Sequence, residues 1–111
     1  MMIGHSTVLI EGAGKRTITD PCFGTWGHLA YRRLAPPALE RDQLTDVDLV
    51  LLSHNHWDHV DGRYLRSLPT TTPVLAPLWT SQTVEGFVRR LKEAGLEAET
   101  VVLSEGESWQ L

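Results

Sequence analysis

The sequence has few of the features that mark disulfide-rich, membrane-spanning and secreted proteins. A single cysteine, Cys22, excludes a disulfide framework within the chain. No apolar run approaches the roughly 20 residues of a membrane-spanning helix, and the amino terminus lacks the basic region of a signal peptide. These absences predict a cytoplasmic protein without a membrane span.

Positive charge is also scarce. The chain has 10 Lys and Arg residues against 14 Asp and Glu residues, for a formal net charge of -4. Binding to nucleic acid needs a dense basic face for phosphate contacts, and the arginine pairs at 32–33 and 89–90 are isolated. We therefore expect no nucleic-acid partner. A length of 111 residues, with 41% hydrophobic and 22% charged residues, is typical of one globular domain.

The hydrophobic pattern predicts an α/β fold with a mixed sheet and flanking helices. The β-branched run 7–10, the turn residues 11–15 and the alternating run 16–20 indicate a β-hairpin at the start of the sheet. Residues 22–45 show no regular pattern except a short helix near 37–44. Further strands are predicted at 48–53, 73–76, 99–103 and 108–111, with helices at 61–68 and from Thr80 or Ser81 to Gly95.

A cluster of metal-binding residue types directly follows the predicted buried strand 48–53. His54 and His56 are two residues apart, so in extended backbone both imidazoles leave on the same side and can converge on one cation. Asp58 and His59 can face a neighbouring position. Nitrogen and carboxylate donors without thiolate suit Zn²⁺, with Mn²⁺, Fe and Ni²⁺ as alternatives. A purely structural role for three histidines and an aspartate within six residues is much less favoured.

The segment Ser53-His54-Asn55-His56-Trp57-Asp58-His59 resembles the His-x-His-x-Asp-His motif of the metallo-β-lactamase superfamily of hydrolases. The segments 4–10 (GHSTVLI), 19–23 (TDPCF) and 103–108 (LSEGES) are similar to the branch that includes ascorbate-6-phosphate lactonase and N-acyl-phosphatidylethanolamine phospholipase D. The resemblance implies an αββα sandwich. Residues 1–111 would be a single partial domain, the N-terminal half of that sandwich.

The resemblance also implies a role for each residue of the motif. His54 and His56 would bind a first zinc ion, and Asp58 and His59 a second. Asp58 would be the catalytic residue as well, because it can hold or accept the proton of the attacking water.

Four residues outside the motif are further candidates. Asp20 stands where the family keeps a carboxylate that orients a ligand histidine, and its alternative is a turn residue before Pro21. His5 stands where relatives have a histidine near the metal pocket, with a structural role as the alternative. Trp26 and His28 could line the pocket from the long connection.

The family completes its site with two later histidines and a bridging aspartate. No histidine follows His59 in this sequence, and the last aspartate is Asp61. We therefore expect a fragment that is inactive alone and binds metal weakly, because each position keeps two ligands of the three that a catalytic zinc normally has. One face of its sheet would be uncovered, which favours self-association.

Three functions remain open from the sequence. The first is a metal-dependent hydrolase that activates water against a small-molecule ester, lactone or phosphodiester. The second is a non-catalytic scaffold or dimerisation module that has lost the site, which the absent ligands favour. The third is a nuclease of the same superfamily, which the acidic charge balance disfavours.

Overall fold

A six-stranded mixed sheet organises the chain in the computed structural model, which describes residues 1–24, 26–27, 31–54, 56–77, 89, 100–103 and 108. The strand order in this sheet is β1-β2-β3-β6-β7-β8, and β4 and β5 form a separate two-stranded ladder. The strands are β1 (Met2–Gly4), β2 (Thr7–Gly12), β3 (Lys15–Thr19), β4 (Trp26–Gly27), β5 (Tyr31–Arg32), β6 (Leu49–Leu51), β7 (Val74–Pro77) and β8 (Thr100–Leu103). A 3-10 helix spans Arg41–Leu44, and a short helix, α1, spans Gly62–Leu65.

The hairpin of β2 and β3 is formed as the sequence predicts. Its two turn residues, Ala13 and Gly14, have φ angles of 51° and 75°. Positive φ at both positions gives the mirror-image tight turn whose twist matches that of the flanking strands. The turn sets the register in which Leu9 lies opposite Ile18, and both side chains therefore face the core.

Three parallel pairings continue the sheet from β3 through β6 and β7 to β8. The strands β1 and β3 are each antiparallel to β2, so β1 runs in the same direction as β3 and β6. The carboxyl ends of all three strands therefore lie at one edge of the sheet. In open α/β sheets this edge is where ligands bind.

One face of the sheet carries the core. Tyr64 is fully buried against it and donates a hydrogen bond of 2.8 Å from its hydroxyl to the Leu44 carbonyl. Asp61 caps α1 by accepting from the backbone amides of Arg63 and Tyr64, so the helix begins directly after the histidine motif. The core residues come from the sheet, the two helices and the connections between them: Ile3, Leu9, Ile18, Phe23, Leu44, Val47, Val50, Leu52, Tyr64, Leu65 and Val74.

The other face of the sheet is more open. Ile10 is 52% exposed there, while Val8, Leu51 and Leu75 are half-buried. Self-association through this face stays a prediction. Within the described residues, no helix is both long and apolar enough to cross a membrane.

The structure also differs from the predicted elements. Strand β1 and the β4–β5 ladder were not predicted, and both helices are shorter than expected, at Arg41–Leu44 within 37–44 and Gly62–Leu65 within 61–68. Strands β6, β7 and β8 lie within a residue or two of the predicted ranges. The helix predicted from Thr80 or Ser81 to Gly95 and the strand predicted at 108–111 lie outside the described residues.

Candidate metal centre

The residues singled out in the sequence meet at the edge where β1, β3 and β6 end. His5 lies in the turn between β1 and β2, Asp20 directly follows β3, and the histidine motif follows β6. His5 and Asp20 have φ angles of 54° and 39°, which are uncommon for residues other than glycine. At each of these positions the chain turns sharply at the end of a strand, and the side chain stays next to the motif.

His54 and His56 form the first pair of donors. Nε2 of His54 lies 2.9 Å from Nδ1 of His56, and the two rings are nearly perpendicular, with centroids 4.5 Å apart. Two nitrogens bound to one tetrahedral zinc ion at about 2.0–2.1 Å would be about 3.3 Å apart. The observed pair is therefore close to the spacing of two ligands of one ion.

Asp58 and His59 form the second pair, and His5 adjoins it. Oδ2 of Asp58 lies 3.8 Å from Nε2 of His59 and 3.2 Å from Nε2 of His5. One ligand atom from each of the three residues lies within 4.8 Å of the other two. The rings of His54 and His59 are 3.9 Å apart, so the two pairs are neighbours. Nitrogen and carboxylate donors at these spacings fit divalent transition metals such as zinc.

Asp20 contacts two residues of the histidine segment, Ser53 and His59. Its Oδ2 lies 3.0 Å from Nδ1 of His59 and 2.7 Å from Oγ of Ser53, and its Oδ1 accepts from the Ser53 amide at 2.7 Å. The residue is only 6% exposed. Burial acts to raise the pKa of Asp20, but the hydrogen bonds from Ser53 and His59 outweigh it, and the net pKa lies below the usual range. Asp20 is therefore a carboxylate at neutral pH.

Asp58 is ionised for related reasons. Burial again acts to raise the pKa of Asp58. The hydrogen bond from its own backbone amide, the hydrogen bond from His5 and the charge of His59 lower the pKa by more than burial raises it. The net pKa lies below the usual value. An ionised Asp58 is the form that can bind a cation or accept a proton.

Three supporting residues were not singled out in the sequence. Thr7 is fully buried, donates from Oγ1 to the Asp20 carbonyl at 2.8 Å and accepts from the Cys22 amide at 3.0 Å. Ser6 Oγ lies 3.1 Å from Nδ1 of His59, and Ser53 joins Asp20 to His54. All three are adjacent in sequence to candidates or belong to the quoted segments, and this adjacency was the available signal. The side chain of Trp26 and the whole of His28 lie outside the described part of the chain.

The chain also matches a known protein family. Residues 15–111 match the family described as "Beta-lactamase superfamily domain". The match begins with β3 and includes Asp20 and the whole histidine motif.

Curated relatives cover parts of the chain. N-acyl-phosphatidylethanolamine-hydrolyzing phospholipase D 1 of Caenorhabditis elegans is 29% identical over 75 residues, which are 64% of this chain and 21% of that protein. The mitochondrial phospholipase D of the same description from Saccharomyces cerevisiae is 38% identical over 82 residues, 69% of this chain and 16% of that protein. An uncharacterized protein of Mycobacterium tuberculosis is 40% identical over 62 residues, 52% of this chain and 17% of that protein.

Solved structures share the fold. An isothiocyanate hydrolase from Delia radicum gut bacteria superposes with a TM-score of 0.73 at 22% identity, over 97% of this chain and 42% of that chain. A possible metal-dependent hydrolase from Veillonella parvula superposes with a TM-score of 0.66 at 21% identity, over 99% of this chain and 43% of that chain. The chain thus spans less than half the length of these structures and about a fifth of the curated relatives.

Proposed function

The chain belongs to the beta-lactamase superfamily, and from that membership we propose that it supplies one half of the dinuclear metal site of a hydrolase. The observation that carries the proposal is the paired arrangement of donors. His54 and His56 are spaced as ligands of one ion, and Asp58 and His59 adjoin them as ligands of a second. Zinc is the metal that this donor set favours, with manganese, iron and nickel as alternatives.

Each residue then has a definite task. His54 presents Nε2 and His56 presents Nδ1 to the first position, while Asp58 presents Oδ2 and His59 presents Nε2 to the second. When bound, metal ions supply Lewis acidity and lower the pKa of water to about 7. Asp58 is also the group of this chain that can accept the proton of the attacking water, because its carboxylate is ionised. His5 donates to Oδ2 of Asp58 and fixes the direction of that carboxylate.

The substrate that we propose is a small-molecule phosphodiester, ester or lactone. Two relatives hydrolyse N-acyl-phosphatidylethanolamine according to their names, which supports testing phosphodiesters first. A cytoplasmic location stays a prediction, and so does the inactivity of this chain by itself.

Hydrolysis by the full-length protein tests this function. The protein is purified without chelator, supplied with Zn²⁺ or Mn²⁺, and assayed with bis(4-nitrophenyl) phosphate, 4-nitrophenyl acetate and a simple γ-lactone. We expect metal-dependent hydrolysis of at least one class, lost on chelation and restored by metal, and no turnover by residues 1–111 alone. If the metal-loaded protein hydrolyses none of the three, the non-catalytic scaffold becomes the better account.

A further inference from the structure

Ser53 lies between a buried carboxylate and a proposed metal ligand. Its hydroxyl oxygen is 2.7 Å from Oδ2 of Asp20 and 2.8 Å from Nδ1 of His54. Its backbone amide also donates to Oδ1 of Asp20, at 2.7 Å. These three contacts hold Ser53 in one orientation.

The donors and acceptors in this chain of hydrogen bonds can be assigned from chemistry. An ionised carboxylate only accepts, and a serine hydroxyl has a single proton. The hydroxyl of Ser53 must therefore donate that proton to Asp20, and its oxygen is left to accept from Nδ1–H of His54. A neutral imidazole that carries its proton on Nδ1 has its lone pair on Nε2. Nε2 of His54 is the atom that faces His56.

His59 is held by the same carboxylate without an intermediate. Nδ1 of His59 lies 3.0 Å from Oδ2 of Asp20, so it carries the proton that this oxygen accepts. The lone pair of His59 is then on Nε2, which faces Asp58 at 3.8 Å. Asp20 thus contacts His59 directly and His54 through Ser53.

We propose that Ser53 is a positioning residue, which sets the tautomer of His54 and thereby presents Nε2 to the first metal position. The inference rests on the proposed function, because it takes His54 as a metal ligand. The proposal also distinguishes the effects of two residues. Loss of Ser53 affects the first metal position alone, whereas loss of the Asp20 carboxylate affects both metal positions. Outer contacts of this kind are typically worth 10- to 100-fold in metal affinity.

The tautomer is measured first, in the full-length protein after its metal has been removed. Long-range ¹H–¹⁵N correlation spectra of the histidines are recorded at pH 8, about 1.5 units above the usual pKa of histidine. We expect His54 to carry its proton on Nδ1 in the wild type and in Ser53→Thr, which keeps the hydroxyl. In Ser53→Ala that preference is lost at His54 while His59 is unchanged. A proton on Nε2 of His54 in the wild type would overturn the proposal, and so would an unchanged tautomer in Ser53→Ala.

Zinc titration of the same samples then follows each position through its own histidines. We expect Ser53→Ala to weaken zinc binding at His54 and His56 by about 10- to 100-fold and to leave the binding midpoint at His59 unchanged. Ser53→Thr should bind zinc like the wild type. Equal weakening at both positions would indicate a merely structural role, and zinc binding that is insensitive to Ser53 would also overturn the proposal. If the tautomers are as expected but no zinc binds to any sample, the proposed function fails, and the metal role of Ser53 fails with it.

Discussion

Asp20→Asn is expected to weaken both proposed metal positions and to destabilise the fold. Asparagine has nearly the same shape as aspartate and tolerates the left-handed backbone at this position, where φ is 39°. Its Oδ1 can still accept from the Ser53 amide. Its amide nitrogen, however, takes the place of Oδ2, which the Ser53 hydroxyl and Nδ1 of His59 contact. That nitrogen is a hydrogen-bond donor, whereas the hydroxyl and the imidazole both need an acceptor there. Only the carboxylate function is removed.

The expected size follows from these contacts. Leaving a buried donor without an acceptor costs about 1–3 kcal/mol in the free energy of unfolding, and because these two donors are only partly buried we expect a loss toward the lower end of that range, measured by urea denaturation of the metal-free chain. In the full-length protein, zinc affinity should fall by about 10- to 100-fold at each position. Asp42→Asn is the matched control, because Asp42 is an exposed residue of the 3-10 helix outside the site. If Asp20→Asn behaves like this control, Asp20 is a turn residue before Pro21.

The pH dependence of the stability difference provides a second signature. The hydrogen bonds hold the pKa of Asp20 below its unfolded value, although burial opposes them. A carboxyl group with a lowered folded pKa stabilises the fold above the unfolded pKa of about 3.9 and loses that contribution as the pH falls through the folded pKa. The difference in stability between wild type and Asp20→Asn should therefore be full near neutral pH and shrink below pH ~4.

Asp58→Ala is expected to have the largest effect on activity. In the full-length protein it removes a proposed ligand of the second position and the proposed proton acceptor together. Loss of general acid–base function alone typically costs 10²- to 10⁴-fold in rate, so turnover should fall by at least about 100-fold, and metal content should drop toward one ion. Asp58→Asn keeps the shape and one acceptor oxygen and should retain more metal than Asp58→Ala.

Steady-state kinetics and elemental analysis of the same preparations test this prediction. Asp42→Asn again serves as the control, since it removes one exposed carboxylate outside the site. Intact metal content together with intact turnover in Asp58→Ala would remove Asp58 from the mechanism. Reduced metal content with unchanged turnover would limit Asp58 to holding a dispensable ion.

The sequence predicted the part of the fold that depends on short-range pattern. The β2–β3 hairpin follows from a turn and alternating strands, and the parallel strands β6 and β7 follow from short apolar runs bounded by polar or turn residues. The pairing of β1 beside β2 could not be predicted in the same way, because three residues with one buried side chain, Ile3, carry almost no pattern. The same limit applies to the two-residue strands β4 and β5.

The candidate site shows a similar division. The histidine motif is compact in sequence, so its clustering could be predicted from spacing alone. The approach of His5 and Asp20 to that motif depends on β1, β3 and β6 ending at one edge, which is a property of the sheet order. The role of Ser53 depends on the distances of a hydroxyl to two side chains, and residue types alone do not contain such distances.

Metal content tests the central claim most directly. The full-length protein and residues 1–111 are purified without chelator, and bound metal is measured by elemental analysis before and after supplementation with zinc or manganese. We predict about two ions for the full-length protein, and few or none for residues 1–111, where each position has only two of its ligands. A full-length protein that stays free of metal after supplementation would contradict the account, and the motif would then belong to a non-catalytic scaffold.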